Sequence, residues 1–159
     1  RQIKNEVTRL VTEARTRPVL ILDEAQGLRS DVLEEMRLLT NYAMDAHNRL
    51  CLLFCGQPEL RRRVSMAVHE ALNQRVVVRF HLPPLARDEV GPYLVHLLRR
   101  AGTELPIFEP AAVEALFQAT QGLPRKINLL AHHALIATAL QKAKVATADH
   151  VQAALSEVA

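Results

Sequence analysis

Apolar residues along this chain follow two rhythms, and the change from one to the other divides it. In the first segment Ile3, Val7, Leu10, Val11 and Ala14 recur close to the helical period. After Arg15-Thr16-Arg17-Pro18, Val19 to Leu22 runs without alternation, which predicts a short strand covered on both faces of a parallel sheet. Asp23-Glu24 follow at once. Ser30 is placed to cap a helix through about Thr40, with Asp31 in its first turn and Val32, Leu33, Met36 and Leu39 as its stripe. A polar stretch from Asp45 to Arg49 then leads to a second buried strand, Leu50 to Cys55.

Gly56-Gln57-Pro58 breaks that strand, Glu59 to about Asn73 reads as one or two short helices rich in arginine, and Val76 to Phe80 is a third strand candidate. Beyond Pro83-Pro84 every segment carries the helical rhythm. Val90, Tyr93, Leu94, Leu97, Leu98 and Ala101 share one face before a stop at Gly102, with Pro92 predicting a kink or a late start. Pro110 opens a helix with Val113, Leu116, Phe117 and Thr120 as its stripe and Gly122 past its end. Pro124 opens another to about Gln141, and Thr147 caps a last one with Val151, Ala154, Leu155 and Val158 inward. The division falls between residues 1–82, an α/β part, and residues 83–159, an all-helical part.

Composition narrows the class without naming it. At 159 residues, with 49% hydrophobic and 23% charged residues, the chain is long enough to bury a core and is not a disordered protein. No apolar run is long enough to span a bilayer or read as a signal peptide. Twenty basic against 17 acidic side chains give a net charge of +3, which permits nucleic-acid contact without implying it. With four Phe, two Tyr and no Trp, an aromatic base-stacking groove has too little material. Cys51 and Cys55 lie in the most apolar segment and read as buried thiols of a reducing cytoplasm. The chain begins with Arg1 in a helical pattern, which suggests part of a longer protein.

Candidate chemistry concentrates where strands end. In a parallel sheet, ligands sit beyond the carboxyl ends of the strands, and there Asp23 and Glu24 stand side by side. One acid can hold a hydrated magnesium ion and the other can orient a water toward a phosphate; the plainer alternative is two acids in a solvated turn. Gln57, after the second strand, can bring an amide to the same edge to hold a water or touch a γ-phosphate, or can be a turn residue before Pro58. Arg125 and Lys126 lie in the first turn after Pro124, where the helix dipole disfavours cations; an anionic partner or plain solvation accounts for them. Arg75, at the end of the helical stretch, is placed to reach a neighbouring subunit, whereas Arg61, Arg62 and Arg63 read as a solvated or DNA-facing run. His132-His133 point in different directions on a helix, and no metal-ligand spacing appears. The five glycines stand alone, so no Gly-x-x-x-x-Gly-Lys-Ser/Thr phosphate loop is present between Arg1 and Ala159.

Together these residues resemble the second half of an AAA+ ATPase module over nearly the whole chain. VLILDEAQ resembles the Walker B strand, LLFCGQPEL the sensor-1 strand, ALNQRVVVRF the arginine-finger region and GLPRKIN the start of the sensor-2 helix. GQPEL, LNQR, HLPPL and GLPRKINLL are most similar to the ExeA-type family, which includes general-secretion-pathway ATPases and ATPases encoded beside transposases. The resemblance implies a partial P-loop NTPase parallel sheet followed by a helical lid. It implies ATP and Mg2+ as cofactors, Asp23 as the magnesium-site acid, Glu24 as the base, Gln57 as sensor 1, Arg75 as the finger and Arg125 as sensor 2. Gln57 departs from the more usual Asn or Thr. The family's Walker A loop would lie upstream of Arg1, and its strand would lie between the sensor-1 strand and Val76 to Phe80. The chain alone is therefore expected to be inactive and to fill that gap by oligomer contacts, strand rearrangement or cofolding with a further segment.

The leading expectation is a cytoplasmic, nucleotide-dependent homo-oligomer that works on DNA and regulates a transposase. The alternative is a secretion-pathway ATPase driving assembly of an envelope complex, with secretion-pathway proteins as partners. Two others are a helicase, since Asp23-Glu24-Ala25-Gln26 resembles helicase motif II, and a non-catalytic DNA- or protein-binding adaptor.

Overall fold

The computed structural model describes residues 2–41 and 49–158; most of the polar return expected between Asp45 and Arg49 lies outside the described residues. Contacts divide the chain into two compact units that meet in sequence at Phe80 and His81.

The first unit is built on two parallel strands. Helix α1 (Gln2–Thr12) precedes strand β1 (Val19–Leu22), helix α2 (Ser30–Thr40) crosses back, and strand β2 (Cys51–Phe54) pairs with β1 in the register Val19↔Cys51 to Leu22↔Phe54. The pairing continues past both strands: the Cys55 N–H donates to Leu22 O at 2.8 Å and the Ala25 N–H to Cys55 O at 2.9 Å. Helices α3 (Pro58–Val64) and α4 (Glu70–Asn73) follow, with single 3-10 turns at Ala25–Gly27 and Ala67–His69.

Burial in this unit is one-sided. Leu20, Leu39 and Leu52 pack around Val7 and Leu50, and Leu33 of α2 is fully buried. The opposite sheet face stays open, with Val19 58% and Ile21 59% exposed. The expectation of strands covered on both faces is thus corrected, because the described helices supply apolar partners for one face of the pleat only. The same geometry corrects the cysteines: Cys51 shares a face with Val19 and is exposed, and Cys55 is half-buried.

Val76 to Phe80 forms no strand. A strand exists through hydrogen bonds to a neighbour, and no strand lies alongside it among the described residues, so Val77 and Phe80 remain 93% and 83% exposed. Ser30 also differs from expectation. The cap position is Arg29, and Ser30 is the first helical residue, its hydroxyl 3.3 Å from Nε2 of the buried His69. A partner on another element took the side chain that the local pattern assigned to the backbone.

The second unit is helical: α5 (Arg87–Arg100), α6 (Pro110–Thr120), α7 (Pro124–Leu140) and α8 (Ala148–Val158). Val90, Leu116, Ile127, Ala134, Val151 and Ala154 are fully buried in one cluster drawn from all four. The side chain of Val158, expected in the α8 stripe, lies outside the described set. Helix α5 starts at Arg87, ahead of Pro92 rather than at it, since the Glu89 carboxylate accepts the Ala86 N–H at 2.7 Å and secures the first turn. A short parallel bridge ties the two loops that lead into α6 and α8: Ala146 N–H donates to Ile107 O at 2.7 Å, and Glu109 N–H to Ala146 O at 3.0 Å.

The left-handed residue closing α6 is Gln121, with φ 51°. Gly122, also at positive φ, has a separate duty. Its carbonyl accepts the Leu85 N–H at 2.9 Å, and a Cβ on Gly122 would stand 2.0 Å from Leu85 O.

Candidate functional site

The first unit brings Asp23, Glu24 and Gln57 to one place, the carboxyl ends of its two strands. Parallel pairing with matched register makes β1 and β2 end together, and the residues leaving each strand become neighbours. Asp23 and Glu24 are both exposed. Asp23 Oδ1 accepts the Glu24 N–H at 2.9 Å, and the Glu24 backbone is left-handed, with φ 51°. A non-glycine residue is held in that region only when its surroundings fix it.

Those surroundings are the 3-10 turn that follows. Ala25 is fully buried and bonded to the end of β2 through its N–H. Gln26 then spans the two strand ends. Its Nε2 donates to Glu24 Oε2 at 2.6 Å, and its Oε1 accepts the Gln57 N–H at 3.1 Å. Gln57 itself has extended backbone, φ −70° and ψ 164°, and stands just before Pro58 at the start of α3 with its side chain exposed.

Arg63 anchors the turn from α3. One guanidinium nitrogen donates to Gln26 O, and the other donates to Leu28 O at 2.6 Å. The expectation that Arg61, Arg62 and Arg63 form one solvated or DNA-facing face is corrected for Arg63. Leu60, Arg63 and Val64 share the inward face of α3, so the third arginine packs inward, while Arg61 is exposed and Arg62 pairs with Glu59 at 2.8 Å on the surface. The helical spacing of Leu60, Arg63 and Val64 was a sequence signal for this placement. Gln26 and Gly56 carried no comparable signal, because their roles depend on which residues the sheet register brings together.

The remaining site residues lie elsewhere. Arg75 is half-buried just past α4, its N–H donating to Leu72 O at 3.0 Å. The Glu34 carboxyl of α2 is held below its usual range first by Arg37, which donates to it at 2.7 Å, and then by smaller contributions from His69 and, last, Arg75. Arg125 belongs to the helical unit, where it is exposed at the second position of α7, after Pro124. One turn further along, Asn128 accepts the Tyr93 hydroxyl at 2.8 Å and links α5 to α7.

Residues 1–64 match the family model of the AAA domain. Over 121 residues the chain is 42% identical to general secretion pathway protein A of Aeromonas hydrophila. Over the matched stretches the chain is similar to an AAA domain and to that protein. The match takes in 76% of this chain and 22% of that relative, so the chain spans about a fifth of its length. The AAA match ends at the last residue of α3 and takes in Asp23, Glu24, Gln26, Gln57 and Arg63. The parallel strand pair with flanking helices is the partial AAA sheet, and the four-helix part follows it. No helix among the described residues is long and apolar enough to cross a membrane.

The donor set can be weighed against the groups an AAA site handles. No cluster of three or more acidic, histidine or cysteine side chains capable of caging a metal occurs among the described residues. Magnesium asks for less, since it keeps several waters and is commonly held by one or two carboxylates together with substrate phosphates. Asp23 fits that requirement: one oxygen accepts a backbone N–H, and the group is exposed at the strand end.

Proposed function

We propose that this chain supplies the Walker B, sensor-1, arginine-finger and lid portions of an ATP-hydrolysing AAA+ enzyme. The observation that carries the proposal is the convergence of Asp23, Glu24 and Gln57 on one strand edge with Glu24 held by a side-chain amide. Asp23 would hold magnesium through water or directly, and that ion supplies charge neutralisation at the β- and γ-phosphates when bound. Glu24 orients the attacking water and takes its proton as the new O–P bond forms; the bridging P–O bond breaks, and ADP leaves with that electron pair. Gln57 reads the γ-phosphate or the water as sensor 1. Arg75 is offered to a neighbouring subunit as a finger, and Arg125 serves as sensor 2 from the helical lid. These roles require a phosphate cradle, which residues 1–159 do not contain as a motif.

The enzyme assembles as a nucleotide-dependent homo-oligomer in the cytoplasm. Its partners are secretion-pathway proteins, a reading favoured by the name of the relative from Aeromonas hydrophila. The transposition reading, with DNA and a transposase as partners, led on sequence wording and gains nothing from that relative.

The test is Glu24→Gln in the protein that contains this chain. Removing the base while keeping the shape should cut ATP turnover by about 10²-fold or more and leave nucleotide affinity within a few fold. Unchanged hydrolysis would reject Glu24 as the base. Sedimentation of the same variant with ATP should show the assembled form accumulating; a monomer under those conditions would reject nucleotide-dependent assembly.

A further inference from the structure

The carboxamide of Gln26 meets two different needs at once. A carboxylate wants a donor, and a backbone N–H wants an acceptor; Nε2 serves Glu24 at 2.6 Å while Oε1 serves Gln57 at 3.1 Å. Alanine offers neither group, a carboxylate offers no donor when ionised, and an asparagine is one methylene short of this span. The backbone of the neighbouring strand end sets the room that the amide has. A Cβ on Gly56 would stand 2.6 Å from Gln26 Oε1, so glycine at this position is what leaves room for the amide. The Gln26 carbonyl is fixed by Arg63, and Ala25 is fully buried beside it, so the backbone carrying the amide is anchored to α3 and to β2.

We infer that Gln26 is a positioning residue that couples the Gln57 turn to the Glu24 carboxylate. This rests on the reading of Glu24 as the base and Gln57 as the sensor. While the Gln57 N–H holds Oε1, the opposite end of the same rigid amide holds Glu24 in one orientation. A movement of the Gln57 turn against a γ-phosphate turns the amide and redirects the base. Substrate sensing and base alignment are thereby one mechanical event, two hydrogen bonds long.

The test uses the full protein with ATP, comparing wild type, Glu24→Gln, Gln26→Ala, Gln26→Glu, Gly56→Ala and the Gln26→Ala/Gly56→Ala double variant, each checked by thermal melting. Gln26→Ala should lower kcat about tenfold or more with KM within about twofold, because misplacement of a reacting group taxes the chemical step rather than binding. Gly56→Ala should act alike, and the double variant should be no worse than the poorer single one, since both changes act through the same amide. Gln26→Glu separates the two halves of the amide: the side chain keeps its length and an acceptor for the Gln57 N–H, but an ionised carboxylate offers Glu24 no donor, so kcat should fall as in Gln26→Ala with KM within about twofold. A wild-type kcat in Gln26→Ala or in Gln26→Glu, or additive losses in the double variant, overturns the coupling. Full turnover by Glu24→Gln, or none by wild type, instead removes the base reading and the coupling with it. An inactive Glu24→Gln beside an unimpaired Gln26→Ala removes the coupling alone.

Discussion

The two units have comparable lengths and similarly apolar sequence patterns, yet they finish differently. In the helical unit the stripes of α5, α6, α7 and α8 meet, and Val90, Leu116, Ile127 and Val151 are fully buried. In the α/β unit Val19, Ile21 and Leu53 on the sheet, and Val77 and Phe80 beyond α4, stay largely exposed. A helix satisfies its own backbone and needs only an apolar face opposite; a strand needs a hydrogen-bonding neighbour and a cover on each face. Four helices can close a core among themselves. Two parallel strands with helices on one side leave an apolar surface of the kind that marks an interaction site.

The sharpest way to break this contrast is a pair of core and sheet substitutions followed by chemical denaturation. Leu116→Ala removes a fully buried side chain and should cost the helical unit about 2–5 kcal/mol. Ile21→Ser, on the open sheet face, should change stability by less than about 0.5 kcal/mol and reduce self-association of the isolated chain. Comparable losses at the two positions would mean that the open face is covered in solution.

The periodicity that built the helical unit was legible because amphipathic helices are decided locally. Pro110 and Pro124 each open the helix expected of them, and the expected stripe of α6 points inward. The α/β unit was legible only as far as local pattern reaches. Val19 to Leu22 and the apolar run around Leu52 declare strands, and a parallel pair with an intervening helix puts Asp23 and Gln57 at one edge. An apolar run cannot say whether a neighbour exists to pair with it, so Val76 to Phe80 was misjudged. Gln26 and Arg63 were missed as parts of the site because the contacts that tie them to other elements, Gln26 to Gln57 and Arg63 to Gln26, lie 31 and 37 residues apart in sequence and are set by register.

Gly122 is the next test, in the helical unit. Alanine there must place a Cβ against the Leu85 carbonyl in a left-handed conformation, with no flexible side chain able to yield. A loss above about 1 kcal/mol is expected in thermal melting, with loss of the Leu85 to Gly122 hydrogen bond. Gln121→Gly supplies the matching control: its φ is already 51°, so glycine should be tolerated or slightly stabilising. Equal effects at the two positions would deny the distinction between a helix end and a backbone contact.

Arg63 probes the α/β unit at a smaller scale. Arg63→Ala deletes the donors to Gln26 O and Leu28 O and should cost about 1 kcal/mol, since the group is only partly buried and water can replace it at the carbonyls. Arg63→Lys keeps the charge but lacks the fork that serves two carbonyls, so recovery should be partial. Hydrogen exchange at the Gly27 and Leu28 amides, which bond to Glu24 O and Ala25 O, reads whether the turn has loosened. Full rescue by lysine would assign the effect to charge and remove the geometric role.

The smallest expected effect contrasts one ion pair in each unit. In the α/β unit Arg37 and Glu34 pair within α2, whereas in the helical unit Arg87 of α5 reaches Glu114 of α6 at 2.6 Å. Glu114 is held below the usual glutamate range first by the Gln118 amide and then by Arg87; Glu34 is held there first by Arg37. A carboxyl whose folded pKa is depressed stabilises the fold above its unfolded pKa, and the contribution disappears as pH falls through the folded value. The melting-temperature gap between wild type and Glu114→Gln should therefore be widest near neutrality and close as pH drops from about 7 to about 3, with added salt narrowing it further at neutral pH. Glu34→Gln should show the same closure, with a smaller change in the packing of its unit, because its partner lies on the same helix. A gap at Glu114 that persists in acid would mean that the side chain acts through packing between α5 and α6 rather than through charge.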